Sequence, residues 1–121
     1  MLGRTTIGFE NGETVKVEIA RTEDETSRGL MYRTSMPEAE GMIFAMDRRE
    51  HTFWMRDTCI PLDMMFIDTD GTFVGIEENV PVLSDANRTV GCKSTHVLEV
   101  NGGWSRRHGV KSGMKVRLPL P

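Results

Sequence analysis

The sequence predicts a mainly β fold: a small antiparallel barrel or sandwich of about eight short strands with one or two short helices. Three observations carry this. Short alternating or apolar runs recur along the chain, each bounded by turn residues. Asn11-Gly12 and Asp70-Gly71 stand between such runs as hairpin signals. Only one segment of helical character exceeds a single turn. At 121 residues the chain is expected to form one domain, 1–121. That length buries about two thirds of the unfolded surface without help from a disulfide or a metal.

Thr5–Phe9 and Thr14–Ala20 read as the first two strands, joined at Asn11-Gly12 by a type I′ turn. Val15, Val17 and Ile19 alternate with Lys16, Glu18 and Ala20, the pattern of a half-buried strand. Thr22-x-x-Glu25 is a capping box opening a helix over about Glu23–Met31, with Leu30 and Met31 as core anchors. Acidic residues in its first turn suit the helix dipole. Ser35–Glu40 is a loop. Gly41–Met46 and His51–Met55 read as strands joined by a charged turn, Asp47–Glu50. Asp63–Ile67 is nearly all apolar, which suits a strand buried on both faces. Thr72–Glu77 follows the Asp70-Gly71 turn. Asn79–Thr95 is a polar loop, long enough to serve as a flap or binding loop. His96–Val100 is a strand, Asn101-Gly102-Gly103 a turn, Trp104–His108 one helical turn stopped by Gly109, and Lys115–Leu118 a closing strand.

Composition excludes several classes. A net charge of −3 gives no basic surface for nucleic acid. No apolar run approaches the roughly 20 residues of a membrane helix. Met1–Thr6 has no apolar core of export length, so the expectation is a cytoplasmic protein, or an extracytoplasmic one whose leader has been trimmed. Cys59 and Cys92 lie 33 residues apart without a CxxC spacing and are expected as free thiols; a disulfide needs Cα atoms within about 7 Å. The nine methionines follow core positions rather than a copper-binding spacing. His51, His96 and His108 lack HxH or HExxH spacing, and no metal or other cofactor is expected.

Several strings together resemble a known family: TxxExxxGLMYR from Thr22, GMIFAM from Gly41, FWMRDTxIPLDMMFIDxDG from Phe53, VLEVNGG from Val97 and GVKxG from Gly109. They are similar to domain-of-unknown-function family 192 over about Val15 to Val116. The resemblance implies a small β-rich domain, often preceded by a secretion or lipoprotein leader, with no established activity. Two residues depart from the family pattern. Asp57 stands where Asn is usual, and Met114 where an acidic residue is usual. An amide cannot take a proton, so Asp57 is not expected to be an essential base; a hydrogen-bonding role suits both residue types.

The candidate ligand-binding residues are Trp54, Arg56, Asp57, Thr58, Asp63, Arg28, Arg33 and Glu99. Trp54 and Arg56 share a face of an extended segment. An indole beside a guanidinium and a carboxylate suits a sugar or a carboxylated metabolite. The alternative is structural: Asp57 and Thr58 cap the turn before Pro61, and Asp63 pairs with Arg56. Arg28 and Arg33 either complete an anion pocket or divide, one holding Asp63 or Glu99 and the other solvated. Glu99 either lines the cleft or points to water. Three functions stay open. A non-catalytic module binding a small ligand leads, with no catalytic residue assigned. A hydrolase would use Asp63 with Asp57 or Glu99. An interaction module would dock a protein partner through the loop Asn79–Thr95.

Overall fold

The computed structural model describes residues 2–118. Seven strands, β1 (Gly3–Phe9), β2 (Thr14–Ala20), β3 (Glu40–Glu50), β4 (Leu62–Ile67), β5 (Phe73–Val80), β6 (Lys93–Asn101) and β7 (Val116–Arg117), form one curled sheet in the order β5-β4-β6-β3-β2-β1-β7. Hydrogen bonds from Phe73 N to Met114 O and from Val116 N to Gly71 O bring the last segment against the β4–β5 turn. The result is a half-barrel. Two short helices accompany it, α1 (Glu23–Arg28) and α2 (Trp104–Arg107). Neither is long and apolar enough to cross a membrane.

Both faces of the central strands are apolar. One carries Ile7, Val17, Ile43, Met65, Leu98 and Trp104. The other carries Met42, Phe44, Met64, Phe66, Val97 and the covering Met55. Every residue of β4 is buried, Asp63 included, as its nearly all-apolar character predicts.

Local chemistry accounts for the boundaries. The capping box at α1 is present: Thr22 Oγ1 accepts from Glu25 N at 3.1 Å, and Thr22 N donates to Glu25 Oε1 at 3.1 Å. The helix stops after six residues, short of the expected Met31. Gly29 turns the chain at φ 47°, and a Cβ there would lie 3.1 Å from the Phe44 ring. Leu30 then enters the core just beyond the helix. Asn11-Gly12 forms a type I turn followed by a left-handed Gly12 (φ 93°) rather than a type I′ turn, because Gly12 N bonds Phe9 O and Phe9 N bonds Glu13 O.

Three expectations are corrected. No turn exists at Asp47–Glu50: β3 runs through it, with a bulge between Ala45 and Arg49 absorbing the change. His51–Met55 is not a ladder strand and holds one isolated bridge, Phe53 to Arg88. The loop expected over Asn79–Thr95 shortens to residues 81–92, since β5 and β6 extend into it. One pair, β2 and β3, is parallel, with α1 in the crossover. A six-residue helix within a long connection suffices for that topology.

His108 fastens the closed side. It stacks on Trp104 at 4.1 Å, bonds Glu13 through Nδ1, and lies 3.0 Å from Glu38 Oε2 through Nε2. Burial pulls its pKa down, but the two carboxylates outweigh this and the net shift is upward from 6.5. A raised folded-state value stabilises fully below the unfolded one, and the contribution is lost as pH rises through the folded one. The stability gap between wild type and His108→Gln is therefore expected to be largest near pH 6 and to shrink toward about pH 9. Thermal unfolding across that range measures it; a gap that is constant or widens with pH contradicts the assignment.

Candidate functional site

Glu99 is the third residue from the end of β6, paired in register with Met42 of β3 and Met64 of β4. Alternation places its side chain on the face of Val97, Met42 and Met64, beneath the segments that cover that face. It is 4% exposed and has no side-chain hydrogen bond among the described residues. Burial pushes its pKa up to about 8, so the carboxyl is mostly protonated at neutral pH.

A cleft of about 320 Å³ opens above it, between the C-terminal end of α1 and residues 49–54. This lies at the small end of the range for ligand sites. Arg28, His51, Trp54, Thr58 and Glu99 are among its walls. Arg28 makes no ion pair among the described residues. His51 is buried, and its Nε2 lies 2.7 Å from the carbonyl oxygen of Asp47. A carbonyl only accepts, so in the neutral ring Nε2 carries the hydrogen and Nδ1 keeps its lone pair. Nδ1 has no partner among the described residues.

Four of the candidate residues thus share one cleft: Arg28, Trp54, Thr58 and Glu99. Arg56 lies beside it. Its guanidinium carbon sits 4.0 Å over the Trp54 ring, so the two do share a face. The acidic partner of Arg56 is Asp85, at 3.2 Å, rather than Asp63. Thr58 Oγ1 donates to Arg56 O at 3.1 Å, the turn-capping role. Asp57 has φ 53° and accepts from Tyr32 Oη at 3.0 Å. Asn and Asp are the non-glycine residues that best tolerate this conformation, which accounts for either at the position.

Asp63 and Arg33 stand elsewhere. Asp63 is in register with Val100, one residue from Glu99, so the two carboxyls project from opposite faces. It is fully buried and accepts four hydrogen bonds: from Asn79 N at 2.7 Å, Gly103 N at 3.0 Å, Ser105 N at 3.0 Å and Ser105 Oγ at 2.8 Å. These tie β4 to the end of β5 and cap α2, whose N-cap residue Gly103 has no side chain to do so. Arg33 forms a bidentate pair with Glu18, at 2.6 and 3.2 Å, and holds that carboxyl below its usual range. The expected division of the two arginines, one paired and one unpaired, is present, but with Glu18 as partner. Loop 81–92 exposes Val82 and Leu83. Cys59 and Cys92 are free thiols.

His51 is the wall residue that sequence reasoning missed. The signal was weak: a lone histidine at the end of a charged run, in a segment read as a strand.

The fold has close counterparts. A Sinorhizobium meliloti protein provisionally named as a transcription regulator is 34% identical, with a TM-score of 0.91 over 96% of this chain and 94% of that one. A Novosphingobium aromaticivorans protein of unknown function is 36% identical, with a TM-score of 0.89 over 97% and 85%. No curated protein matches the sequence significantly. The family model for DUF192, "Uncharacterized ACR", matches residues 6–118. With nearly the whole chain matched, the protein belongs to domain-of-unknown-function family 192.

Proposed function

We propose that the cleft beside Trp54 binds a small polar molecule, a sugar or a carboxylated metabolite. The supporting observation is Glu99: a carboxyl group buried under the covering segments, without a hydrogen-bond partner among the described residues, on the wall of a cleft. Its carboxyl oxygens are not among the fully buried, unpartnered side-chain atoms, so they reach the cleft, where a ligand hydroxyl or carboxylate can hydrogen-bond to them. Arg28 supplies a cation without a carboxylate partner among the described residues, and the half-exposed Trp54 an aromatic surface. The carboxylated class is favoured over a neutral sugar, because a protonated Glu99 and Arg28 are both donors.

The paired-carboxylate hydrolase is not supported, since Asp63 faces the other side of the sheet and is occupied by four donors. A protein-docking role rests on the exposure of Val82 and Leu83 alone and comes second.

The test is a thermal-shift screen over sugars and small carboxylates. A ligand at 100 times its Kd contributes about 2.7 kcal/mol, which is a rise of roughly 5–10 °C in a domain of this size. Arg28→Gln and Trp54→Ala are expected to abolish most of that rise. A shift that persists undiminished in both variants puts the ligand elsewhere.

A further inference from the structure

We propose that this cleft also performs chemistry: proton transfer on a small carboxylate that carries a carbonyl group, with His51 as the base and Glu99 as the acid. The inference rests on the ligand-binding reading and goes beyond it. Three unfilled functions meet in the one cleft. Arg28, unpaired among the described residues, takes the substrate carboxylate and fixes its orientation. His51 lines the cleft and keeps a lone pair on Nδ1, because the Asp47 carbonyl holds the hydrogen on Nε2. Glu99 presents a carboxyl proton that no protein group among the described residues accepts.

The step balances as an enolisation. His51 Nδ1 removes a hydrogen from the carbon next to the carbonyl. The C–H electron pair becomes the new C=C bond, and the carbonyl π pair moves to oxygen. Glu99 protonates that oxygen. The product is an enol, with His51 as imidazolium and Glu99 as carboxylate. The reverse step returns both protons and restores the enzyme. No oxidant, reductant or nucleophile is needed. Among the wall residues, the Thr58 hydroxyl is committed to Arg56 O and that of Thr26 to Glu23 O, while Ser27 and Thr52 also line the cleft. A base aligned by a backbone carbonyl and an acid kept protonated by burial are the pair that a reaction near neutral pH calls for.

The experiment is proton–deuterium exchange followed by proton NMR. Pyruvate, 2-oxobutyrate and acetoacetate are each incubated in D2O with the protein near neutral pD, and binding is measured on the same samples by thermal shift. For at least one compound the wild type is expected to accelerate loss of the C–H signal at least tenfold over buffer. Glu99→Gln and His51→Gln are each expected to return the exchange rate to within about twofold of buffer. Circular dichroism confirms that each variant is folded. The wild type supplies an independent readout: its rate should fall above about pH 8, where Glu99 loses its proton. A compound that binds in the cleft but exchanges no faster than in buffer overturns the catalytic inference and leaves the binding reading standing. Acceleration unchanged in Glu99→Gln overturns it as well. If no compound either binds or exchanges, the carboxylate-binding reading falls with it.

Discussion

Glu99→Gln is expected to stabilise the protein by roughly 3 kcal/mol at pH 7 and by about 5 kcal/mol above pH 8. The carboxyl has its ordinary value of 4.5 when the chain is unfolded and about 8 when it is folded. Below pH 4.5 it is protonated in both states, and the buried position is tolerated. Between 4.5 and 8 the unfolded chain releases the proton while the folded one retains it, so stability drains away as pH rises. Above 8 the folded protein holds a charge between Met42 and Met64. Glutamine has the same shape and no ionisation, so the loss disappears. Urea denaturation at pH 4, 7 and 9 measures the difference. The gain should be near zero at pH 4 and grow with pH; equal gains at all three would assign the effect to packing.

Asp63→Ala is expected to destabilise by about 4 kcal/mol. Three backbone N–H groups, of Asn79, Gly103 and Ser105, and the Ser105 hydroxyl all lose their acceptor. The backbone groups cannot turn to other partners without moving α2 and the end of β5. Asp63→Asn should recover about half, since its carbonyl oxygen can still serve Asn79 and Gly103 while its NH2 group meets the Ser105 N–H. The same denaturation assay reads both. An alanine variant within about 1 kcal/mol of wild type would show that water replaces the carboxylate at little cost.

The two carboxyls mark where sequence reasoning succeeds and where it ends. Asp63 inside an apolar run signalled a group needing partners, but the readings it offered, a ligand contact or an ion pair with Arg56, are replaced by four donors from elsewhere. Its partners come from residues 79, 103 and 105, which no local pattern points to. Glu99 between Leu98 and Val100 reads equally as a wet position or a buried one. Only the pairing of β6 with apolar strands on both sides decides that. The one-residue offset between Asp63–Val100 and Met64–Glu99 then sends the two acids to opposite faces, a relation set by register rather than composition. Elements with strong local signals, such as the Thr22–Glu25 capping box and the Gly12 and Gly71 turns, were legible. The continuation of β3 through Asp47–Glu50 was not, because charged residues at an exposed strand end look like a turn. The stacking of Arg56 on Trp54 followed from simple alternation, although the segment turned out not to be a ladder strand.

The segments above Glu99 are joined mainly to one another. Phe53 and Arg88 exchange backbone bonds of 2.9 and 2.7 Å, Met55 N donates to Ser84 O at 2.8 Å, and Leu83 N donates to Thr58 O at 3.0 Å. Against the sheet they rest on side chains, with the Phe53 ring edge-on to Phe44 and Phe66. Parting this roof from the sheet would break aromatic contacts and the Tyr32 N–Asp57 O bond, while the hydrogen-bonded sheet beneath stays intact. Opening of this kind belongs to the low-energy end of a protein's fluctuations, well below global unfolding. Glu99 already lines the open cleft, so the position of the roof sets how wide that cleft is rather than whether Glu99 is reached.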